Sequence, residues 1–317
     1  VSTQMVLRWG IVSAGKISHD FVNALNSYPK KSKDNLIVGV AARDPVKAQE
    51  RIHSRVFHLC VADVAYIGAL NPQHFELTKL YLENGKHVLC EKPMCLNEKQ
   101  TSTLIKLARD KKLFLMEAVW SRYFPTYIAL EELIKSGKIG EVLFVDVNFG
   151  VPIENVDRKK DLGGSAILDL GVYVLQFAQY VFKDEPIKIT ATGELNEDGV
   201  DVVDTVILEY EGGRRAVLTV HSKIKLWNKA TVVGTKGRIT VSTQGSCVRI
   251  VASSAPLSLP IPMGRSAGLA YEAEEVKRCI EQGLLESPRM THKDSITLAK
   301  LEDAVRKQVG VYYDVDA

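Results

Sequence analysis

The chain has 317 residues, of which 46% are hydrophobic and 25% are charged. This composition is typical of a soluble globular protein, and the length predicts two domains. The formal net charge is only +3, which excludes the strongly basic proteins that bind nucleic acid or acidic membranes through charge alone.

Strand and helix signals alternate through the first third of the chain. Predicted strands span residues 6–12, 36–42, 61–68, 87–92 and 113–117. The first predicted helix ends near residue 27, and the next two span residues 73–84 and 97–111. Strands that alternate with helices of this length predict βαβ units and a parallel sheet.

The pattern changes after about residue 140. A long apolar helix at 165–182 is followed by strand signals joined by turns, which predict an antiparallel sheet. With an earlier strand at 142–149, these signals span 187–195, 203–210, 215–222, 229–233, 238–242 and 248–252, and amphipathic helices at 271–282 and 294–308 close the chain. We therefore predict an α/β protein with an N-terminal Rossmann domain at 1–123. A C-terminal α/β domain at 124–317 has an open, mostly antiparallel sheet, and its last helix is free to pack on the first domain.

The turn after the first strand carries a dinucleotide signal. Gly10 and Gly15 flank it, the following helix offers backbone amides to a pyrophosphate, and Ser13 adds a hydroxyl. The same pattern also suits a strand–turn–helix that binds nothing. At the end of the second strand stands Arg43, which favours NADP because a guanidinium pairs with the 2′-phosphate; an exposed arginine is the alternative.

The fourth strand ends abruptly in Glu91-Lys92-Pro93. Ligands of open α/β sheets bind beyond the carboxyl ends of the strands, where a lysine can hold a substrate hydroxyl. A second set of polar residues lies on the long apolar helix. Asp169, Tyr173 and Gln176 occupy positions i, i+4 and i+7 there, which lie on one face of a helix. This stripe of polar side chains predicts that the helix lines a water-filled cleft. The alternative is an Asp–Tyr hydrogen bond within the core.

Several motifs together resemble one known family. They are the Gly10–Ile17 turn, Asn71-Pro72-x-His74, the segment from Gly85 to Pro93, and Gly163-Gly164 followed by Asp169 and Tyr173. The chain resembles the glucose-fructose oxidoreductase/inositol dehydrogenase (Gfo/Idh/MocA) family. Residues 116–125 and 268–273 are similar to its dimeric dihydrodiol dehydrogenase, or NADP-dependent D-xylose 1-dehydrogenase, branch.

The resemblance implies roles for particular residues. Lys92 and Tyr173 are expected on opposite sides of one substrate hydroxyl beside the nicotinamide, with a cis bond before Pro93. Tyr173 is then the general base, Lys92 lowers its pKa, and Asp169 orients the pair and binds a second hydroxyl. Trp120 offers the substrate an apolar wall. The predicted NADP contacts are Gly10, Ser13, Gly15, Lys16, Ile17, Arg43, Asn71, His74, Glu91, Lys92 and Arg122.

These residues predict an NADP-dependent dehydrogenase of vicinal diols. The expected reactions are trans-1,2-dihydrobenzene-1,2-diol to catechol, D-xylose to xylonolactone, or both. One alternative is a non-catalytic NAD(P)-binding sensor of the same fold, which is expected to lose the Lys–Tyr pair. Another is a cyclic-imine or bilin reductase, which is expected to lack the Asp169–Tyr173 stripe.

Other classes of site and partner are not predicted. No cysteine pair has zinc-ligand spacing and the histidines form no cluster, so no metal is expected. Free thiols, the absence of a signal-peptide pattern and the lack of a membrane-length apolar stretch predict a cytoplasmic protein without membrane or nucleic-acid partners. A sheet face expected to carry Phe144, Val206, Leu208, Val217 and Thr219 predicts a homodimer through the C-terminal sheet.

Overall fold

The computed structural model describes residues 5–27, 34–42, 61–153, 159–244, 247–252, 255–260 and 265–317. The chain forms two compact units. The first comprises Val1–Cys95, Lys99–Tyr123 and Pro262–Ser295, and the second comprises Leu96–Glu98, Phe124–Ile261 and Ile296–Ala317. The first unit therefore reaches Tyr123, like the predicted Rossmann domain, but it also takes in a late segment that the prediction gave to the second domain.

The first unit is built on a parallel sheet with the strand order β2-β1-β3-β4-β5. Apolar residues on both faces of these strands are buried, as expected for a sheet with helices on each side. The strands are β1 (Leu7–Val12), β2 (Asn35–Ala41), β3 (Val64–Ile67), β4 (His87–Glu91) and β5 (Leu115–Ala118). Its helices include α1 (Lys16–Ser27), α2 (His74–Glu83) and α3 (Glu98–Asp110).

Helix α6 (Leu269–Glu281) completes the first unit. Asn35 joins it to the sheet, because its Nδ2 donates to Glu274 Oε1 at 3.3 Å while its Oδ1 accepts from Trp9 Nε1 at 2.9 Å. Lys277 Nζ pairs with Asp34 Oδ2 at 3.3 Å. The late segment thus supplies polar partners to the start of β2.

The second unit contains an eight-stranded sheet with the order β13-β12-β11-β10-β6-β9-β8-β7. It is mixed, because β6 and β9 run parallel. The strands are β6 (Val142–Gly150), β7 (Lys188–Leu195), β8 (Asp201–Glu209), β9 (Arg215–His221), β10 (Lys229–Gly234), β11 (Gly237–Gln244), β12 (Cys247–Ala252) and β13 (Ala255–Pro260). Helix α4 (Pro125–Lys135) precedes them, and α7 (His292–Val309) follows α6.

The predicted long helix is two different elements. A π-helical turn at Ile167–Gly171 leads into the α-helix α5 (Val172–Phe182). The stretch Lys160–Phe182 is long and apolar enough to cross a membrane, contrary to expectation, but 83% of its apolar window is buried within the protein. That degree of burial is what a core helix shows.

One face of the second sheet packs on α5, and the other face lies open within the described chain. Val206 and Leu208 are fully buried on the α5 side, so their predicted place on the open face is wrong. Phe144, Val217 and Thr219 alternate with the buried positions and are half-buried. Successive residues of a strand point to opposite faces of the sheet. Val217 of β9 lies opposite Ile207 of β8, so these two residues share the open face and Val206 points to the other face.

Candidate active site

The turn after β1 has the backbone of an anion-binding loop. Ser13 has a φ of 87°, in the left-handed region that glycine usually occupies. Its Oγ accepts from Gly15 N at 3.3 Å, and its own N donates to Ala41 O at 2.7 Å. No acidic residue stands in the first turn of α1, and Lys16 there is exposed. Among the described residues, a negative group would therefore meet amides, a hydroxyl, the exposed Lys16 and a positive helix end.

Glycine is required opposite this loop, at the end of β3. A Cβ on Gly68 would come within 2.4 Å of Ser18 Oγ and 2.9 Å of the Tyr66 ring. This close approach lets α1 start directly above the sheet. A Cβ on Gly15 would meet nothing closer than 3.5 Å, so that glycine leaves room at the surface of the loop. Arg43, on which the NADP prediction depends, lies outside the described residues.

Glu91 braces the end of β4 from within the core. Its Oε1 accepts from the Tyr66 hydroxyl at 2.5 Å, and its Oε2 from Lys92 N at 3.3 Å. Burial raises the pKa of Glu91, while the Tyr66 hydrogen bond and the Lys92 charge act against that rise. Through these contacts Glu91 holds the end of β4 in place. Its predicted contact with NADP stays a prediction.

Lys92 is half-buried just past the end of β4, and the bond between it and Pro93 is cis, which confirms the expected isomer. A second buried carboxyl acts on Glu91, that of Glu272 in α6, whose oxygens have no hydrogen-bond partner among the described residues. Burial first, and repulsion by Glu91 second, hold the pKa of Glu272 well above its usual range. Of these two carboxyls, only Glu91 is acted on by the Lys92 charge, which lowers its pKa against the effect of burial.

His74 joins two loops at the carboxyl end of the sheet. Its Nδ1 lies 2.7 Å from Pro93 O and its Nε2 lies 3.1 Å from Ala69 O. Burial lowers the pKa of His74, and a neutral ring can donate to only one of these carbonyls. The imidazole therefore braces the Lys92–Pro93 turn, whereas its predicted cofactor contact remains untested. Asn71 is half-buried in the 3₁₀ turn before α2.

Two other predicted contacts lie in the 3₁₀ turn Trp120–Tyr123 after β5. The Trp120 side chain is half-buried. Arg122 is only 2% exposed, with its Nη1 3.1 Å from Arg289 O and 3.4 Å from Asp294 Oδ2. The guanidinium thus joins this turn to Arg289, which precedes α7, and to the first turn of α7.

The second unit presents Asp169 in its π-helical turn and Tyr173 at the start of α5. Both side chains are half-buried. The predicted stripe ends there, because Gln176 is fully buried and its Nε2 donates to Tyr127 Oη at 2.6 Å and to Tyr173 O at 3.0 Å. Gln176 therefore has a structural role and does not extend the stripe, whereas the predicted ligand contacts of Asp169 and Tyr173 stay predictions.

A small apolar pocket of about 130 Å³ borders Tyr173 within the second unit. Phe149, the penultimate residue of β6, packs edge-on against Tyr173 with ring centroids 5.7 Å apart. Most of the exposed lining is apolar, although Asn148, Asn228 and Lys229 also border the pocket. The sequence reasoning missed Phe149, although an aromatic residue at a strand end next to Gly150 is a signal that could have found it.

Each unit holds polar groups that could contact a ligand. The first has an anion-binding turn and a lysine at a strand end, and the second has a carboxylate and a phenol beside an apolar pocket. Among the residues the structure describes, no group of three or more His, Cys, Asp or Glu side chains could hold a metal ion.

Two family profiles and several full-length relatives match this sequence. The profile of the oxidoreductase family with an NAD-binding Rossmann fold matches residues 7–119, and that of the GFO/IDH/MocA C-terminal domain matches residues 127–240. A trans-1,2-dihydrobenzene-1,2-diol dehydrogenase of Danio rerio is 41% identical, covering 99% of this chain and 100% of that protein. The Homo sapiens protein of the same name is 36% identical over 98% of this chain and 99% of its own length.

Solved structures share the fold. KijD10, a 3-ketoreductase from Actinomadura kijaniata in complex with NADP and TDP-benzene, superposes with a TM-score of 0.81 at 24% identity, covering 96% of this chain and 98% of that one. An aldose-aldose oxidoreductase from Caulobacter crescentus, complexed with glycerol, gives 0.83 at 20% identity with the same coverage.

Proposed function

This chain belongs to the GFO/IDH/MocA oxidoreductase family, and on that premise we propose that it is an NADP-dependent dehydrogenase of vicinal diols. The proposed substrate is a trans-dihydrodiol of an arene, such as trans-1,2-dihydrobenzene-1,2-diol, which would give catechol. The observation that carries the proposal is the retained set of Lys92 at the end of β4 and Asp169 with Tyr173 at the start of α5. The names of the full-length relatives support the substrate class.

The chemistry assigned to the residues follows from their types. The nicotinamide, when bound, accepts a hydride from the carbinol carbon. Tyr173 takes the hydroxyl proton, and the Lys92 ammonium favours the tyrosinate that can do so. Asp169 binds the neighbouring hydroxyl of the diol, and the apolar Phe149 ring faces the carbon skeleton. The Ser13 turn holds the pyrophosphate.

A substrate panel tests this function directly. Trans-dihydrobenzenediol, D-xylose and a simple secondary alcohol would each be offered with NADP, and the absorbance of the reduced nicotinamide would be followed. We expect the highest kcat/KM for the dihydrodiol, since the pocket beside Tyr173 is apolar. No reduction of NADP by any diol would refute the proposal and favour the sensor.

Cofactor choice is proposed to depend on Arg43. Replacing Arg43 by Asp should raise the KM for NADP strongly and leave that for NAD little changed, because only NADP has the 2′-phosphate that a guanidinium binds. The measurement is steady-state kinetics with each cofactor at saturating diol. Equal affinity of the unsubstituted enzyme for NAD and NADP would contradict this role.

We also propose a two-fold homodimer in the cytoplasm, made through the open face of the second sheet. Val217 lies on that face, beside Asp146 on β6 and Ile207 on β8. Val217→Lys should give a monomer, because a lysine there can pair with Asp146 within one chain but must lose water in an interface. Sedimentation of the unsubstituted protein should give twice the chain mass of 35.1 kDa.

Ser136→Lys is the matched control for the dimer. Ser136 is exposed at the end of α4, away from the open face, so this variant should sediment as the parent does. A monomeric parent protein would end the dimer proposal.

Cys90, Cys95 and Cys279 are free and buried, which supports a reducing compartment.

A further inference from the structure

The start of the helix that carries Tyr173 is irregular. Val172 N donates to Ile167 O, five residues earlier, so the chain makes a π-helical turn between Ala166 and α5. Such turns are less favourable than α-helix and occur mostly at functional sites. Asp169 lies inside this turn, and Tyr173 is the second residue after its end. The positions of both side chains therefore depend on what stabilises the turn.

The turn receives its hydrogen bonds from β8. Asp201, the first residue of that strand, accepts from Ile167 N through Oδ2 and from Ser165 Oγ through Oδ1, each at 2.6 Å. Asp201 is 2% exposed. The residue before the turn makes no side-chain cap, so this carboxylate takes the place of a helix cap. The cap comes from a distant strand and not from the helix sequence itself.

The C-terminal tail holds the same segment from another side. The Tyr313 hydroxyl donates to Gly164 O at 2.9 Å. Its ring lies under the buried Arg306 guanidinium, 5.0 Å from the ring centroid. Arg306 in turn pairs with Asp316 and Asp303, each at 2.7 Å. These contacts hold the Tyr313 ring in place, and its hydroxyl bonds to the segment at the start of the helix.

We propose that Asp201 and Tyr313 are positioning residues for the reaction, because they clamp the backbone at Gly164–Ile167 and so set where Asp169 and Tyr173 stand. This inference rests on the proposed function of Tyr173 as the base. Neither residue needs to touch substrate or cofactor. Their effect is on the geometry of the groups that do.

The chain offers a matched control next to Tyr313. Tyr312 is also a tail tyrosine whose hydroxyl donates to a backbone carbonyl, but its acceptor is Lys307 O, at 3.3 Å within the preceding helix, and its side chain is 52% exposed. Tyr313→Phe and Tyr312→Phe each remove one hydroxyl from the same tail. Asp201→Asn removes one of the two acceptors without changing the shape of the side chain.

Two measurements on the full-length variants test the clamp. Hydrogen exchange of peptides covering residues 163–175 should be about fivefold faster in Tyr313→Phe and Asp201→Asn, as expected for the loss of one hydrogen bond. The kcat for the diol should fall about tenfold in both, as a misplaced catalytic group implies, while the dissociation constant for NADP stays unchanged. Tyr312→Phe should match the parent in both measurements.

The outcomes are separable. Parental kcat in both Tyr313→Phe and Asp201→Asn overturns the proposal, and so does faster exchange spread over the whole second unit with weakened NADP binding. If Asp201→Asn does not fold, Tyr313→Phe decides alone. If the parent oxidises no diol, the proposed function fails, and the exchange of residues 163–175 alone then decides whether the turn is clamped.

Discussion

Replacing Tyr173 by phenylalanine is expected to lower turnover by about 10²–10⁴-fold, the usual contribution of a general acid–base. Phenylalanine keeps the ring that packs on Phe149, and the main-chain carbonyl that accepts from Gln176 is unchanged. The variant should therefore fold and bind NADP normally. Steady-state kinetics and fluorescence titration with NADP would measure the two quantities separately.

Tyr180→Phe is the control on the same helix. The Tyr180 hydroxyl donates to Tyr127 O at 3.0 Å and contacts Glu131 at 3.3 Å, so its loss alters the packing of α4 but no proposed catalytic group. Lys92→Met should resemble Tyr173→Phe and also move the alkaline limb of the pH–rate profile. A Tyr173→Phe enzyme that keeps more than about a tenth of parental turnover would disprove the role of Tyr173 as the base.

Replacing Asp204 by asparagine is expected to stabilise the protein, and the gain should grow as the pH rises. Asp204 is fully buried on β8, and the carboxyl of Asp201 lies close enough to act on it. Burial, with repulsion by Asp201 second, raises the pKa of Asp204 to about 10. An unfolded aspartate has a pKa of about 3.9, so the folded chain keeps a proton there that the unfolded chain has lost.

The sign of the effect follows from that difference. Between the two pKa values the folded state binds more protons than the unfolded state, so this group lowers the stability as the pH rises, by at most about 1.4 kcal/mol per pH unit. Asparagine removes this dependence and can donate to Asp201. The difference in Tm between Asp204→Asn and the parent should be small at pH 5 and largest at pH 9.

Asp198→Asn provides the comparison for Asp204. Asp198 is exposed in the turn before β8, so Asp198→Asn makes the same chemical change without altering a buried group. Should Asp204→Asn be less stable than the parent at every pH, then the Asp204 carboxyl is charged in the folded protein and has a partner that the variant lacks.

Local patterns predicted the first unit well. The strand that ends at Glu91-Lys92-Pro93 and the turn at Gly10–Gly15 lie where expected, because both depend on short runs of residues with strong preferences. Strand β13 was missed because Pro256 and Pro260 suggest a break, although prolines are tolerated at an edge strand. Helix α4 was missed too, although Pro125 at its first position is a start signal.

The site in the second unit was harder to predict, for a physical reason. Ideal α-helical spacing put Asp169, Tyr173 and Gln176 on one face, but the π-helical turn changes the register between the first two. That turn depends on Asp201, which is 34 residues away from Ile167 in the chain. Long-range hydrogen bonds of this kind leave no local periodicity. The assignment of Val206 and Leu208 failed similarly, since only the register of β8 on β9 shows which face is covered.

The discontinuous first unit has a consequence for how the protein is made. Asn35 and Asp34 find their partners on Glu274 and Lys277, which a ribosome adds only after the entire second sheet. The first unit therefore cannot fold completely until most of the chain has been synthesised. A recombinant fragment ending at residue 123 should be insoluble, whereas exchanging this unit between relatives requires a second graft that covers Pro262–Ser295.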